Sequence, residues 1–404
     1  MGAMMEALLP ALFLRAGYNT ALVTVGAALL GAAAGAIGAF MLLRKRSLVS
    51  DAISHATLPG LALAFIVMAL AGGDGRFMPG LLAGAAVSAG IGLVAVEAIA
   101  RRTRLTEDVA IGAVLSVFFG LGIVLLTVIQ TMESGRQAGI GGFLLGSTAG
   151  MLRGEAEVIA VAAALTGVAV FVLRRPLTLV CFDEEYAATQ GVDVRATDLA
   201  MMALALAVTV IGLKVAGLVL IVALTILPPV AARFWTNRAE RMALIAAAIG
   251  AVSAWLGAVI SSLGPGLPTG ALIVLVSFAI FLFSLLFSPL RGVLAGRMAT
   301  LALTRRVHER QGLLALAREE PIYDTLTLRV LRRAGHIRAD GAPTLAGRAA
   351  AASAAREEAL WSLYRKLFPD EAASAGYHGL APINESLPSD VVRDLERRCN
   401  FKAT

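Results

Sequence analysis

Long apolar segments separated by short polar ones occupy most of the chain up to about residue 290. A helix that crosses a bilayer needs about 20 predominantly apolar residues. The pattern predicts nine such segments, at residues 20–43, 47–70, 79–99, 109–131, 155–173, 198–213, 216–232, 241–262 and 270–290. We therefore expect an all-α polytopic membrane protein with eight or nine transmembrane helices.

The sixth and seventh segments form one apolar stretch that is interrupted only at residues 212–217, Gly-Leu-Lys-Val-Ala-Gly. Two interpretations are open. The stretch could be two short transmembrane helices, or it could be a broken, re-entrant pair. A re-entrant backbone is tolerated only where it is buried in protein or faces water.

Composition agrees with a lipid environment. Of the 404 residues, 58% are hydrophobic and 16% are charged, and the mean hydropathy is +0.79. A soluble core of this size could not bury so much apolar surface. The 41 glycines predict helices that approach each other closely. Cys181 and Cys399 are far apart in sequence and both lie in segments that we assign to the cytosol, so no disulfide is expected.

Clusters of Arg and Lys follow alternate apolar segments. Such residues are enriched on the cytoplasmic side of membrane proteins. The clusters therefore predict cytoplasmic positions for residues 44–46, 101–104, 174–175, 233–241 and 291–297. The N-terminus and the segments at 72–74, 133–135 and 264–266 are then expected outside. We assign the net charge of +7 to contacts with anionic membrane lipid rather than with nucleic acid.

The apolar segments end near residue 293, where charge density rises and short amphipathic patches begin. We divide the chain into an N-terminal periplasmic or interfacial segment (1–19), a transmembrane domain (20–292) and a cytoplasmic domain (293–404). The cytoplasmic domain is expected to contain helices and a short β-hairpin, because Asp340-Gly341 favours a tight hairpin turn.

Asp51 and His55 lie four residues apart at the start of the second apolar segment, so on a helix they share one face. Ionisable side chains inside a membrane segment are costly and point to a function. A carboxylate beside an imidazole is a ligand pair for a first-row divalent metal. In the alternative interpretation, Asp51 caps the helix and His55 is a hydrogen-bonded core residue. One such pair cannot complete a metal's coordination, but a two-fold dimer would supply four ligands.

A short amphipathic helix is predicted in the cytoplasmic segment between the fifth and sixth apolar stretches, Phe182-Asp183-Glu184-Glu185-Tyr186 through Gly191. The two glutamates fall in its first turn, where negative charge favours the helix dipole. Gly191 is placed to end the helix in a left-handed turn. An ordinary connector would have the same pattern.

The stretch from Leu213 to Arg233 carries candidate gating or hinge residues, namely Lys214, Gly217, Pro228 and Pro229. Paired prolines late in a helix could kink its end. Equally, they could form a hinge.

Four segments together resemble the manganese/zinc/iron ABC-importer permeases. They are residues 51–60 (Asp-Ala-Ile-Ser-His-Ala-Thr-Leu-Pro-Gly), 106–112, 182–187 and 212–233, and they follow the order of that family. The resemblance implies a permease fold of the metal-chelate/vitamin B12 importer type. It also implies a second permease, either identical or a sister chain, together with a periplasmic metal-binding protein and a cytoplasmic ABC ATPase dimer.

The same resemblance implies roles for individual residues. Asp51 and His55 match the metal-contacting pair of the family, and residues 182–191 match the helix that docks into the ATPase. The chain has no Gly-x-x-x-x-Gly-Lys-Ser/Thr phosphate loop, so we expect no ATPase activity in this subunit.

Residues from about 300 to 400 resemble a degenerate winged-helix domain of the diphtheria-toxin-repressor type. The resemblance rests on residues 331–337, 343–349 and 360–364. The histidines His308, His336 and His378 are too widely spaced for a chelating pattern, and we interpret them as surface residues. An accessory domain that packs on the ATPase or on the partner permease is the favoured interpretation.

The leading functional hypothesis is the membrane subunit of an ATP-driven importer of Mn²⁺, Zn²⁺ or Fe²⁺, with the ion as transported substrate and no tightly bound cofactor. One alternative is a membrane-anchored metal sensor whose output is the winged-helix-like tail. Another is a secondary carrier that works without an ATPase. The sequence leaves the identity of the metal open.

Overall fold

A computed structural model describes residues 9–15, 17–73, 77–132, 153–264, 267–369, 380 and 382–399 of the chain. The described residues are almost entirely helical and form two compact units, Met1–Ala295 and Gly296–Thr404. The boundary that we predict at 292/293 is close to this division. In order, the first unit contains α1 (Tyr18–Leu43), α2 (Val49–Leu70), α3 (Met78–Arg102), α4 (Glu107–Thr131), α5 (Arg153–Phe182), α6 (Glu184–Thr189), α7 (Val194–Arg233), α8 (Ala239–Ser261) and α9 (Thr269–Phe287).

Eight helices of the described part are long and apolar enough to cross a membrane: α1 to α5, the first half of α7 (Val194–Leu213), α8 and α9. This confirms the predicted polytopic all-α architecture. The remaining predicted segment, the seventh (216–232), corresponds to the apolar helix Leu220–Arg233. At 1.5 Å per residue it extends only about 21 Å. That length is less than the hydrocarbon thickness of about 30 Å, so this helix alone does not cross the membrane.

The interruption between the sixth and seventh segments is a reversal of the chain within α7. Gly217 has φ 72° and ψ 169°, which no helical residue adopts. A Cβ atom added at Gly212 would lie 2.5 Å from Cδ1 of Ile221. In a straight helix these two residues would be about 13 Å apart along the axis. The two halves of α7 therefore fold back on each other as a hairpin, with its turn at Gly217.

Helix α5 is longer than the predicted segment 155–173, since it continues to Phe182 through Arg174, Arg175 and Pro176. Charged residues end a membrane-embedded stretch, but arginine is a good helix former and does not end a helix. Beyond the arginines, Leu177 and Val180 are buried and hold the helix against the bundle.

Small residues allow the central helices to touch backbone to backbone. A Cβ at Gly31 of α1 would lie 2.3 Å from the carbonyl oxygen of Gly250 in α8, and one at Gly35 would lie 2.3 Å from that of Ala246. This is the close approach by which small residues pack helices in membranes.

Helix α2 is held in the same way between α3 and α4. A Cβ at Gly60 would lie 2.0 Å from the carbonyl oxygen of Gly84 in α3. On the α4 side, a Cβ at Gly122 would lie 2.6 Å from Cβ of Leu58. These contacts fix the rotation of α2, and therefore the direction in which its polar face points.

The second unit continues from α10 (Val293–Ala317) with α11 (Thr325–Arg333), α12 (Leu345–Leu367), α13 (Ile383–Ser386) and α14 (Ser389–Arg398). Its small core contains Leu360, Trp361, Ile383 and Leu395. The predicted hairpin is present as one antiparallel bridge between Ile337 and Pro343. Between them Gly341 has φ 85°. The winged-helix resemblance of this unit stays a prediction.

Candidate functional site

Asp51 and His55 form a half-buried pair near the beginning of α2. Asp51 lies in the first turn of the helix, and His55 lies one turn further on. Oδ1 of Asp51 and Nε2 of His55 are 3.4 Å apart, and the two side chains are 34% and 20% exposed. The ring of Phe119 in α4 meets the imidazole edge-on, with 5.0 Å between the ring centroids. The predicted pair is therefore present at the contact between α2 and α4.

The capping interpretation of this pair does not fit the structure. The N-cap of α2 is Leu48, and no side chain of the described residues caps the helix with a hydrogen bond. Nδ1 of His55 is buried and has no hydrogen-bond partner among the described residues. The separation of 3.4 Å between the two side chains exceeds the range of about 2.7–3.2 Å for good N–H···O hydrogen bonds. Both side chains thus keep bonding capacity for a ligand.

The hydroxyl groups on the same helix behave differently. Ser54 Oγ donates to the carbonyl oxygen of Ser50 at 2.8 Å, and Thr57 Oγ1 donates to that of Ser54 at 2.5 Å. All three residues are buried. Helix α2 therefore has one face of internally satisfied hydroxyls and one face with a carboxylate and an imidazole.

Within the described ranges, no three His, Cys, Asp or Glu side chains converge as a set that could hold a metal ion. Asp51 and His55 are two ligands, whereas a divalent transition metal takes four or more. A bound ion at this pair would need further ligands from another source.

The predicted amphipathic helix at 182–191 is α6. The Asp183 carboxylate caps it by accepting the N–H of Tyr186 at 2.9 Å. Such a cap stabilises a helix by about 1 kcal/mol. Phe182 is the last residue of α5 and does not belong to α6, because Asp183 has an extended backbone with φ −151° that separates the two helices.

The far end of α6 follows the prediction. Gly191 has φ 78°, and the next residue, Val192, donates its N–H to the carbonyl oxygen of Ala187 at 3.0 Å. This is the hydrogen bond of a left-handed helix end, for which glycine is favoured. The predicted left-handed turn at Gly191 is confirmed. Of the two glutamates, Glu184 contacts Arg44, whereas no ion pair involves Glu185 in the described part of the chain.

Arg44, just after α1, is the centre of an ion-pair cluster that the sequence pattern did not predict. Its Nε and Nη2 atoms donate to the two carboxylate oxygens of Asp198 in α7, at 3.0 and 2.9 Å. Its Nη1 atom donates to the carbonyl oxygen of Val180 at 3.1 Å and to the carboxylate of Glu184. A fork that binds both oxygens of a carboxylate is the strongest geometry available to arginine.

Burial disfavours the charged form of Arg44, but the hydrogen bonds and charges of Asp198 and Glu184 outweigh this effect and raise its pKa above the ordinary value. Asp198 is only 6% exposed and also lies 3.5 Å from Nη1 of Arg46. A lone carboxylate at the edge of an apolar segment was the signal that could have identified this cluster, since such a residue needs a partner.

The predicted gating residues occupy two places in α7. Gly217 is the turn of the hairpin, and the side chain of Lys214 lies outside the described part. Pro228 and Pro229 are buried and lie inside the helix Leu220–Arg233, which continues past them. The reversal of the chain thus occurs at Gly217 and not at the prolines.

The described histidines of the second unit each pair with one acidic residue. His308 Nδ1 lies 3.0 Å from a carboxylate oxygen of Asp324, and His336 Nε2 lies 3.3 Å from one of Glu309. His378 lies outside the described residues. The two described histidines are thus paired separately, and their side chains are 24% and 16% exposed.

The comparison with protein families decides the class of this chain. The ABC 3 transport family matches residues 18–288, which include α1 to α9 and more than half of the chain. The chain belongs to this family. ABC 3 permeases are membrane transport subunits that work with a separate ATPase and a substrate-binding protein, so the chain is a multi-pass inner-membrane transport subunit and not an enzyme.

Curated relatives of this ABC 3 member are named for different metals. It is 39% identical to the manganese transport system membrane protein MntC of Bacillus subtilis over 74% of this chain and 67% of the relative. It is 37% identical to the zinc transport system membrane protein TroC of Treponema pallidum over 69% of this chain and 91% of the relative. The chelated iron transport system membrane protein YfeC of Yersinia pestis is 29% identical over 68% of this chain and 87% of the relative.

A solved structure supports the same fold. PsaBC from Streptococcus pneumoniae, determined in complex with a Fab, matches with a TM-score of 0.61 and 28% identity. The match covers 74% of this chain and 99% of that one. The predicted permease fold is therefore confirmed.

Proposed function

We propose that this chain is the membrane-spanning subunit of an ATP-driven importer that carries a divalent transition metal into the cytoplasm. The observation that carries the proposal is the Asp51–His55 pair, whose carboxylate and imidazole are left with free bonding capacity in a member of the ABC 3 family. Relatives named for manganese, zinc and chelated iron support a metal substrate.

The geometry of the pair suits one shared ion. Two ligand atoms that each lie about 2.1 Å from a tetrahedral metal are about 3.4 Å apart. Oδ1 of Asp51 and Nε2 of His55 have this separation. A second permease related by a two-fold axis, whether identical or a sister chain, would supply an equivalent pair and complete four ligands.

The proposed orientation places this pair toward the cytoplasmic end of the pathway. The Arg clusters assign the loop between α1 and α2 to the cytoplasm. His55 lies six residues after Val49, the first residue of α2, which is about 9 Å along the helix. The hydrocarbon core is about 30 Å thick, so the ion would bind in its inner third. The second unit would then be cytoplasmic and serve as an accessory domain.

The remaining predicted residues have roles in energy coupling and gating under this proposal. Helix α6, with Asp183, Glu184, Glu185 and Tyr186, docks into the ATPase dimer, and Phe182 lies beside it on the exposed end of α5. The hairpin turn at Gly217 and the proline pair at 228–229 are the gating segment. Metal reaches the outer side from a periplasmic binding protein.

The test is uptake by the complete importer in proteoliposomes, with manganese, zinc and ferrous iron offered separately and in competition. We expect accumulation of at least one ion that requires ATP, the ATPase and the binding protein. The ion with the highest uptake identifies the substrate. Uptake that proceeds without ATP, or no uptake of any of the three ions by an importer that hydrolyses ATP, would contradict the proposal.

A further inference from the structure

The guanidinium of Arg44 joins four elements at the proposed cytoplasmic end of the bundle. Arg44 follows α1 directly, and it contacts Val180 at the end of α5, Glu184 at the start of α6 and Asp198 in the first turns of α7. Its side chain is 12% exposed, so these contacts are partly shielded from water and salt. Helix α6 is thus connected to the bundle through a side chain that belongs to the α1–α2 loop.

A second arginine extends the connection toward α2. Nε of Arg46 lies 3.1 Å from a carboxylate oxygen of Glu107 in the first turn of α4, and its Nη1 atom lies 3.5 Å from Asp198. Asp198 is therefore shared by both arginines. Only Ser47 and Leu48 separate Arg46 from Val49, where α2 begins.

The backbone between the two arginines is tightly held. Arg46 donates its N–H to the carbonyl oxygen of Met41 at 2.8 Å, and Lys45 donates to that of Leu42 at 3.1 Å. This is the Schellman pattern that ends a helix, and it usually places glycine at the left-handed position. Here Lys45 occupies that position with φ 61°. A non-glycine residue persists in this conformation only when its surroundings impose it, so the loop is rigid enough to pass on a displacement.

The contacts of Arg44 differ in strength. The bidentate contact with Asp198 is buried and is the anchor of the cluster, since Asp198 is 6% exposed. The contact with Glu184 lies near the surface, where that carboxylate is 57% exposed. An exposed ion pair contributes little to folding. Its removal should therefore disturb the link to α6 while the fold persists.

We propose that Glu184 is a positioning residue that couples α6 to α2 through Arg44. Movement of α6 is transmitted by the Glu184–Arg44 contact to the rigid α1–α2 loop, and from there to the first turns of α2, which carry Asp51 and His55. The inference rests on the proposed function, because it assumes that α6 docks into the ATPase. The two glutamates of α6 then have different roles. Glu184 faces the permease and pairs with Arg44, whereas Glu185 has no ion pair among the described residues.

The test compares Glu184→Gln with Glu240→Gln in the reconstituted importer. Glu240 in α8 is a matched control because it is 56% exposed and also pairs with an arginine, lying 3.4 Å from Arg174 Nε. For Glu184→Gln we expect metal uptake per ATP hydrolysed to fall about tenfold, the fold-change that corresponds to ~1.4 kcal/mol. Co-purification of the ATPase should be unchanged. Glu240→Gln should keep the wild-type ratio.

A double-mutant cycle with Arg44→Lys tests the connection itself. Lysine keeps the charge but lacks the planar fork that contacts Asp198 and Glu184 together. If the two residues act through one contact, Glu184→Gln should have little further effect in the Arg44→Lys background.

Three results would overturn the inference: equal ratios for the two glutamate variants, loss of the ATPase from Glu184→Gln, or additive effects in the cycle. Failure of the proposed function has a different signature, since the wild-type importer itself would then transport no divalent metal.

Discussion

Two charged clusters lie next to each other along the chain and differ in how their polar atoms are used. In the cluster around Arg44, both oxygens of Asp198 are occupied, and the guanidinium donates from Nε, Nη1 and Nη2. In the pair at the start of α2, the 3.4 Å separation of Asp51 and His55 is long for a hydrogen bond, and Nδ1 of His55 has no partner in the described part of the chain.

Under the proposed function, the difference corresponds to a structural role for the Arg44 cluster and a ligand-binding role for the Asp51–His55 pair. A buried charge is costly unless it is paired and hydrogen-bonded, and the Arg44 cluster meets that condition. A carboxylate and an imidazole that remain incompletely bonded can exchange water for a metal ion and release it again. The hydrogen-bonded cluster around Arg44 (the saturated cluster) should therefore govern stability and coupling. The incompletely bonded Asp51–His55 pair (the unsaturated pair) should govern transport.

The largest expected effect comes from removing the unsaturated pair. For Asp51→Ala or His55→Ala, we expect metal uptake to fall by about 100-fold or more, because even the loss of an outer-shell partner of a metal ligand costs roughly 10–100-fold. Uptake is measured in proteoliposomes, and immunoblots of membranes should show wild-type amounts of both variants. His336→Ala is the matched histidine control and should transport normally. Normal uptake by either α2 variant would refute the role of the pair.

The next effect tests the saturated cluster. Asp198→Asn leaves Arg44 and Arg46 without the carboxylate that they share, and removing one partner of a buried ion pair costs about 3–5 kcal/mol. Denaturant unfolding in detergent micelles measures this loss. The control is Asp193→Asn at the N-cap of α7, where the carboxylate accepts the N–H of Ala196 at 3.0 Å. Asparagine caps a helix equally well. A loss below about 1 kcal/mol for Asp198→Asn would show that the cluster is not structural.

A smaller effect is expected from the glycine contact that orients the α2 pair. Gly60→Ala places a Cβ against the backbone of Gly84 and should destabilise the protein by about 1–3 kcal/mol, as overpacking does. It should also reduce uptake, because α2 must shift. Gly90→Ala in α3, where a Cβ would meet no atom of the described residues within 4 Å, is the control. Thermal unfolding and uptake of the two variants are compared, and equal values would argue against the contact.

The smallest effect concerns the second unit. Asp324 caps α11 by accepting the N–H of Thr327 at 2.8 Å, and its hydrogen bonds to Thr327 lower the pKa of the carboxyl to about 2. Because this pKa lies below the unfolded value of about 4, the stabilisation is complete above pH 4 and is lost as the pH falls toward 2.

Hydrogen exchange of the amides at Leu326 and Thr327, corrected for the intrinsic pH dependence, measures this loss in the full chain. Protection should fall between pH 4 and pH 2 in the wild type. In Asp324→Asn it should be independent of pH over that range, since asparagine caps without titrating. The same decrease in both proteins would assign it to another group.

Much of the architecture was predictable because it depends on local sequence. Apolar runs of sufficient length predicted the membrane helices, and the structure and the family match confirm them. The spacing of Asp51 and His55 placed them on one helical face, and the position of Gly191 predicted the end of α6. The roles of these residues in transport and docking stay predictions.

Two other features were not predictable, because the apolar pattern does not specify them. Helix α6 begins after Phe182 because the side chain of Asp183 caps it. The apolar pattern alone does not indicate which of these neighbouring residues is the cap. The hairpin at Gly217 is defined by the packing of Gly212 against Ile221. The predicted alternatives for this stretch had the same local pattern, so only the contact between the two halves could decide between them.

By itself, the sequence determined which segments enter the membrane and which polar residues enter with them, because the cost of burying charge and backbone in lipid acts on each segment separately. Only the tertiary structure decided which of those charges are satisfied. Asp198 and Arg44 are 154 residues apart and meet through the packing of α1 and α7. Asp51 and His55 likewise stay incompletely bonded because the described parts of the neighbouring helices place no partner beside Nδ1 of His55, and the local sequence pattern does not show this.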